Sequence, residues 1–239
     1  MAPKAPLPAW GYIVVDLALP PATLRDLLAE AEGRTCEPVF KHVESLHNDS
    51  LHEQSRVKAR LPSIGKLRVA LATVTACLDS AWRPTVFSFM RSKPGGQEQE
   101  PHQAYPEDVI ATASKNKAAR VPVSMIYALK EGTSLGVFGG CFTARDDAKA
   151  RDVHVPVGFC VIFRRDLIHY GLPYDVVNHR IHCYLSYRSL KWEPDVVSSV
   201  LPKTYSCQHC DFKMDKSSAM RSHRRYCSKN PDPGNSTSH

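Results

Sequence analysis

Two apolar stripes of helical period lie in the first third of the chain, and from Pro84 onward the pattern changes to short alternating runs. Leu24, Leu27, Leu28 and Ala31 recur at i, i+3, i+4 and i+7, with Pro21 near the start and Gly33 just past the end, which predicts an amphipathic helix. The short apolar run GYIVVD before it suits a strand. Residues 34–60 are polar, contain histidines and have no firm period, so they read as irregular. A second helix is predicted from about Ile64 to Trp82, with Ile64, Leu67, Leu71, Val74, Leu78 and Trp82 as its stripe. Beyond Pro84, runs rich in Val, Ile, Phe and Tyr are separated by KPGG, KEGTS and RDDAKARD, the texture of antiparallel strands and turns. Helices first and strands afterwards predict an α+β domain whose sheet is a sandwich or jelly roll.

The run RIHCYLSY near the end of that domain is informative. Strand alternation puts Ile181, Cys183 and Leu185 on one face and Arg180, His182 and Tyr184 on the other. A strand serving only structure rarely buries an arginine and a histidine together, whereas a barrel that holds a polar ligand needs such a strand.

Composition narrows the class. With 43% hydrophobic and 23% charged residues, the 239-residue chain matches an ordinary globular protein with one sizeable core and a small appendage. It has no apolar run of roughly 18 residues, which argues against a membrane span, and its N-terminus, MAPKAPLPAW, lacks the apolar stretch of a secretory signal. The expectation is an intracellular, reducing compartment, cytoplasmic or nuclear, with the eight cysteines present as thiols or metal ligands. Between Lys203 and Lys229, seven basic residues face two acids, so this piece carries +5 of the net +7. Such a patch attracts phosphate backbones, although a basic surface can also simply be solvated.

That basic piece contains Cys207-x2-Cys210-x12-His223-x3-Cys227, four thiolate and imidazole donors spaced for a tetrahedral Zn²⁺. It resembles the ββα finger of the Cys2His2 class, with Cys227 replacing the last histidine. Tyr205 precedes the first ligand at the family spacing, and Met214 and Met220 take the usual Phe and Leu positions. His209, between the cysteines, reads as exposed rather than as a ligand. By the same resemblance Lys216, Ala219 and Ser222 would face bases, while Arg221, Arg224 and Arg225 suit phosphates. One finger covers only about three base pairs, so it would tether rather than select a site. Binding to protein, or a purely structural cap, remains open.

Two further segments carry a second resemblance. MRSKPGGQEQEPHQAYP and VPVGFCVIFRRDLIHYGLPYDVVNHRIHCYL resemble the metal-binding segments of the Fe(II)/2-oxoglutarate-dependent dioxygenases, particularly the prolyl 4-hydroxylase-like group. The matching residues are the Pro-Gly turn before Pro101-His102, then Pro156, Gly158, Phe163, His169, Gly171, Pro173 and Arg180, and the likeness covers roughly residues 11–188. The resemblance implies that His102 and His169 are iron ligands, that Arg180 clamps the far carboxylate of 2-oxoglutarate, and that Tyr127 hydrogen-bonds this co-substrate, unless Tyr127 is a core aromatic. In the family a carboxylate follows the first histidine at i+2, where strand geometry turns it toward the same metal. This chain has Ala104 there. Three explanations stand: chloride takes the vacated position, as in the halogenases of the superfamily; iron binding is weak or absent, giving a pseudoenzyme; or Glu107 or Asp108 substitutes, although Pro106 intervenes.

The resulting expectation is an α+β chain: an extended arm (1–10), a double-stranded β-helix (jelly roll) with N-terminal helices (11–189), a linker (190–204), a C2HC zinc finger (205–228) and a disordered tail (229–239). Its implied cofactors are Fe(II), 2-oxoglutarate and Zn(II), and its partners are nucleic acid through the finger, a protein or a small-molecule substrate, with no membrane. The alternative is a non-catalytic module that binds nucleic acid or protein.

Overall fold

A computed structural model gives the architecture of residues 7–39, 51–58, 61–104, 121–187, 190, 198–199, 205–207, 209–210, 212–214, 223 and 226–229. A seven-stranded antiparallel sheet runs in the order β1 (Tyr12–Asp16), β9 (Phe159–Arg164), β6 (Val123–Ala128), β11 (Asn178–Ser186), β4 (Arg83–Ser92), β3 (His52–Val57) and β2 (Glu37–Pro38). A five-stranded antiparallel sheet runs β12 (Ser198–Ser199), β5 (His102–Gln103), β10 (His169–Tyr170), β7 (Ser134–Phe138) and β8 (Ala150–His154). These are the two layers of the jelly roll. A hairpin of β13 (Tyr205–Ser206) and β14 (Lys213–Met214) forms a separate two-stranded sheet.

Helices α1 (Pro21–Gly33) and α2 (Pro62–Leu78) lie against the larger sheet. Their buried residues Leu27, Ala31, Ile64, Leu67 and Leu71 join Phe87, Phe89, Met125, Ile162, Ile181 and Leu185 in one apolar cluster. Each large side chain fully buried there contributes about 1.5–3 kcal/mol. The outer face of the sheet is therefore its structural face, and its other face is left to line a pocket.

Four boundaries differ from the sequence reading. The second helix ends at Leu78 rather than Trp82, because Asp79 turns extended (φ −145°, ψ 112°) and its carboxylate accepts the Ala81 N–H at 2.8 Å. Trp82 is buried all the same, donating its indole N–H to Tyr187 Oη at 3.0 Å. The supposedly irregular 34–60 stretch supplies β2 and β3, the latter in register with β4 from His52 opposite Ser92 to Val57 opposite Phe87. In the 1–10 arm, residues 7–10 are docked rather than extended: Leu7 packs on the core, and the Trp10 carbonyl accepts the Gly140 N–H at 3.0 Å. The 190–204 linker contains β12, which pairs Ser198 with Gln103 and Ser199 with His102. Among the described residues, no helix is long and apolar enough to cross a membrane.

Candidate functional site

The pocket opens between the two sheets. Its larger-sheet wall includes Gln54, Met90, Ile126, Arg180, His182 and Tyr184, and its smaller-sheet wall includes His102, Leu135 and His169, with Gln99, Ala104, Arg165 and Gly171 between them. Its volume is about 80 Å³, room for several water-sized groups.

β5 and β10 are two-residue strands that set His102 directly opposite His169. The imidazole centroids are 4.6 Å apart, and Phe163 meets the His169 ring edge-on at 4.9 Å. His102 Nδ1 bonds the Glu100 carbonyl at 2.7 Å, and His169 Nδ1 bonds the Leu167 carbonyl at 2.8 Å. Each Nδ1 therefore carries the proton, and each Nε2 keeps the lone pair. Burial pushes both pKa values down, His169 well below the usual range, with the partner ring and the Arg165 charge adding to its fall. Both rings are neutral at pH 7, the state that ligates metals.

Arg180 projects from β11 into the other end of the pocket. Its Nη1 donates to Ser92 Oγ at 2.9 Å, and its guanidinium lies 5.2 Å from the Tyr174 ring centroid. Ser92 Oγ is in turn 2.7 Å from His52 Nδ1, so β3 and β4 together orient the arginine. Gly171 also lines the pocket: its N–H donates to Gln99 Oε1 at 3.0 Å, and a Cβ there would lie 2.5 Å from the same oxygen, so any side chain would displace Gln99. Gly158, at φ +85°, turns the chain into β9 in a left-handed conformation that favours glycine.

Ala104 is buried at the corner next to His102. Its carbonyl accepts a hydrogen bond from Arg165 Nη2, while Arg165 Nη1 donates to Ser124 Oγ at 2.7 Å and its guanidinium lies 4.1 Å over the Tyr184 ring. Arg165 is only 1% exposed. His182 Nε2 reaches the same Ser124 Oγ at 3.2 Å, and burial, with the charges of Arg165 and Arg180, pushes its pKa down to about 3. Asp166, beside Arg165, is bound at both oxygens by Arg164, at 2.9 and 2.6 Å.

A facial triad needs two imidazoles and a carboxylate. The described lining offers the imidazoles, but at the third corner it offers a methyl group and a guanidinium, and it contains no carboxylate. The residues present therefore do not fit the triad. Glu107 and Asp108 lie outside the described residues.

Tyr127 is corrected. It belongs to the helix-facing cluster on the opposite side of β6 from Ile126, and it is absent from the pocket lining. Its buried hydroxyl has no hydrogen-bond partner among the described residues, and burial raises its pKa to about 12. It is a core aromatic. The sequence reading missed Arg165, Ser92, Gln99 and Gln54. The available signal for Arg165 was strand parity, since it follows the inward-facing Phe163 by two residues.

In the C-terminal module, Cys207, Cys210, His223 and Cys227 present one ligand atom each, all within 4.8 Å of one another. Cys210 Sγ lies 3.3 Å from His223 Nε2 and 3.7 Å from Cys227 Sγ, close to the edges of about 3.6–3.8 Å that a tetrahedral zinc site requires. Burial opposes ionisation of the Cys207 thiol, yet hydrogen bonds from the His209 and Cys210 backbones and the neighbouring thiols bring its pKa down to about 6. The expected hairpin is present, and His223 and Tyr226 are helical. The nucleic-acid candidates Lys216, Arg221, Arg224 and Arg225 lie outside the described residues.

No family model and no curated protein matches the sequence. Solved structures do match. A Pseudomonas putida prolyl-4-hydroxylase is 17% identical with a TM-score of 0.57, covering 75% of this chain and 94% of its own. AviO1 of Streptomyces viridochromogenes is 19% identical with a TM-score of 0.54, covering 77% and 93%. HygX of Streptomyces hygroscopicus, solved with nickel and 2-oxoglutarate bound, is 13% identical with a TM-score of 0.57, covering 76% and 84%. The likeness shows the fold, that of the Fe/2-oxoglutarate oxygenases.

Proposed function

We propose that the jelly-roll domain is an Fe(II)/2-oxoglutarate-oxygenase-like receptor that keeps the co-substrate end of the site and has lost the metal-anchoring carboxylate. The carrying observation is Arg180: a buried guanidinium, fixed by Ser92 and Tyr174, that lines the pocket between the two sheets. A planar fork of this kind binds a carboxylate through paired, charge-assisted hydrogen bonds. The neighbour solved with 2-oxoglutarate supports the choice of ligand class. Calorimetric titration with 2-oxoglutarate should saturate, and aerobic incubation with Fe(II) should yield no succinate above the level given by Fe(II) alone. Absence of binding would refute the reading.

The paired neutral imidazoles favour a second reading, an iron-dependent oxygenase or, with chloride, a halogenase. Its signature is protein-dependent succinate formation, assayed with and without chloride.

For the C-terminal module we propose one Zn²⁺ held by Cys207, Cys210, His223 and Cys227, a closed structural site. Its charge of +5 supports contact with nucleic-acid phosphates. Metal analysis of wild type and Cys207→Ala tests the first proposal, which fails if the variant retains a full equivalent of zinc. Binding to DNA or RNA that falls steeply with salt and varies little with sequence tests the second, and undetectable binding at low salt rejects it.

A further inference from the structure

The segment that leads into His102 reads QEQEPH, and before the histidine itself it sends one residue, Gln99, into the described pocket lining. Its acidic neighbours Glu98 and Glu100 are absent from that lining. The segment is anchored to the same network as Arg180. His52 Nε2 lies 3.2 Å from the Gln97 carbonyl, and Nδ1 of that ring lies 2.7 Å from Ser92 Oγ, the oxygen that accepts from Arg180.

Gln99 is fixed at two points on Gly171. Its backbone N–H donates to the Gly171 carbonyl at 2.9 Å, and its Oε1 accepts the Gly171 N–H at 3.0 Å. The second bond settles the orientation of the carboxamide, because a backbone N–H has to face the oxygen branch and not the nitrogen. The Nε2 branch therefore points away from Gly171 with two N–H donors, and neither meets a partner among the described residues. The side chain is half-buried, and its nitrogen is not sealed from solvent.

We propose that Gln99 is a ligand-contacting residue whose carboxamide nitrogen donates to the acid bound by Arg180, at an oxygen the guanidinium does not hold. The proposal rests on the Arg180 reading and adds a second point of recognition. A neutral donor suits this place, since it adds a hydrogen bond to an anion, whereas a carboxylate would repel it. The simpler alternative is that Gln99 only braces Gly171. The two roles use different atoms, Nε2 for the ligand and Oε1 for the brace, so substitutions can separate them. Glutamate keeps the acceptor for Gly171 and exchanges the donor for a negative charge. Methionine removes donor and acceptor together and adds no charge.

The test titrates the full-length protein with 2-oxoglutarate in calorimetry, as wild type, Gln99→Glu and Gln99→Met, with a thermal melt of each. Gln99→Glu should melt close to wild type and bind at least about tenfold more weakly, as loss of a hydrogen bond to a charged group requires. Gln99→Met should bind better than Gln99→Glu although it melts lower. A brace predicts the reverse order of binding. If Gln99→Glu binds within about tenfold of wild type, or no more weakly than Gln99→Met, this proposal is overturned and the Arg180 reading stands. Should Gln99→Glu fail to fold, a crystal structure of wild type with 2-oxoglutarate decides: Nε2 within about 3.2 Å of a ligand oxygen supports the proposal, and a longer separation rejects it. If wild type does not bind 2-oxoglutarate at all, the Arg180 reading falls, and this proposal with it.

Discussion

Ile181, Cys183 and Leu185 on one face of β11 and Arg180, His182 and Tyr184 on the other meet opposite demands. The first set packs against the helices and is sealed from water. The second lines a cavity and is polar, and its cationic and imidazole groups are held by Ser92, Ser124 and Tyr174. One strand thus separates stability from recognition by parity alone. The sheet tolerates buried arginines on the inner face because the outer face supplies the apolar burial.

That separation can be broken from either side. The largest effect is expected from Phe87→Ala on the outer face, a loss of about 3–5 kcal/mol in urea unfolding, with the remaining folded protein binding 2-oxoglutarate as before. Next comes Arg180→Ala on the inner face. Losing charged hydrogen bonds worth about 1.5–3 kcal/mol should weaken 2-oxoglutarate roughly 10- to 150-fold in titration calorimetry, with little change in the urea midpoint.

The inner face should also carry the acid sensitivity. His182, with its folded pKa pushed down to about 3, is neutral when folded and takes up a proton when unfolded, and burial lowers the pKa of His102 and His169 as well. The unfolded chain therefore binds more protons below about pH 6.5. The His182 contribution should be flat above that pH and fall as pH drops toward about 3, by up to about 1.4 kcal/mol per pH unit. His182→Asn should flatten the slope of a pH series of unfolding curves, whereas an unchanged slope would remove His182 from this account. The smallest effect expected is from Tyr127→Phe. Deleting a buried hydroxyl without a partner should raise stability by about 1 kcal/mol and leave 2-oxoglutarate affinity unchanged; a loss of affinity would return Tyr127 to the pocket.

Parts of this architecture were legible from spacing, and the failures have physical causes. The stripes of both helices and the two faces of β11 obey their periods, so Leu27, Leu67, Arg180 and His182 lie where alternation puts them. In β6, VSMIYA, both faces are buried, so both are rich in apolar residues and alternation carries no signal about which one receives Tyr127. In β3, HEQSRV, the inner residues His52 and Gln54 are polar because they serve the site, so the strand has no apolar face to display. The pair Arg164-Arg165 resembles ordinary surface charge. Only in three dimensions does one guanidinium turn outward to Asp166 while the other turns in toward Ala104.

The short strand β12 bears on where the jelly-roll domain ends. Ser198 and Ser199 occupy the flank of the smaller sheet, hydrogen-bonded to the two residues that include His102. A truncation at residue 189 would strip this cover and leave β5 as a raw edge, with unpaired backbone groups that invite association with another chain. The working boundary of the pocket-bearing domain therefore lies past Ser199, about ten residues beyond the residue 189 that the sequence suggests. The segment leading to the cysteine-rich module is stitched to the pocket's flank, so dissecting one from the other has to begin after that seam.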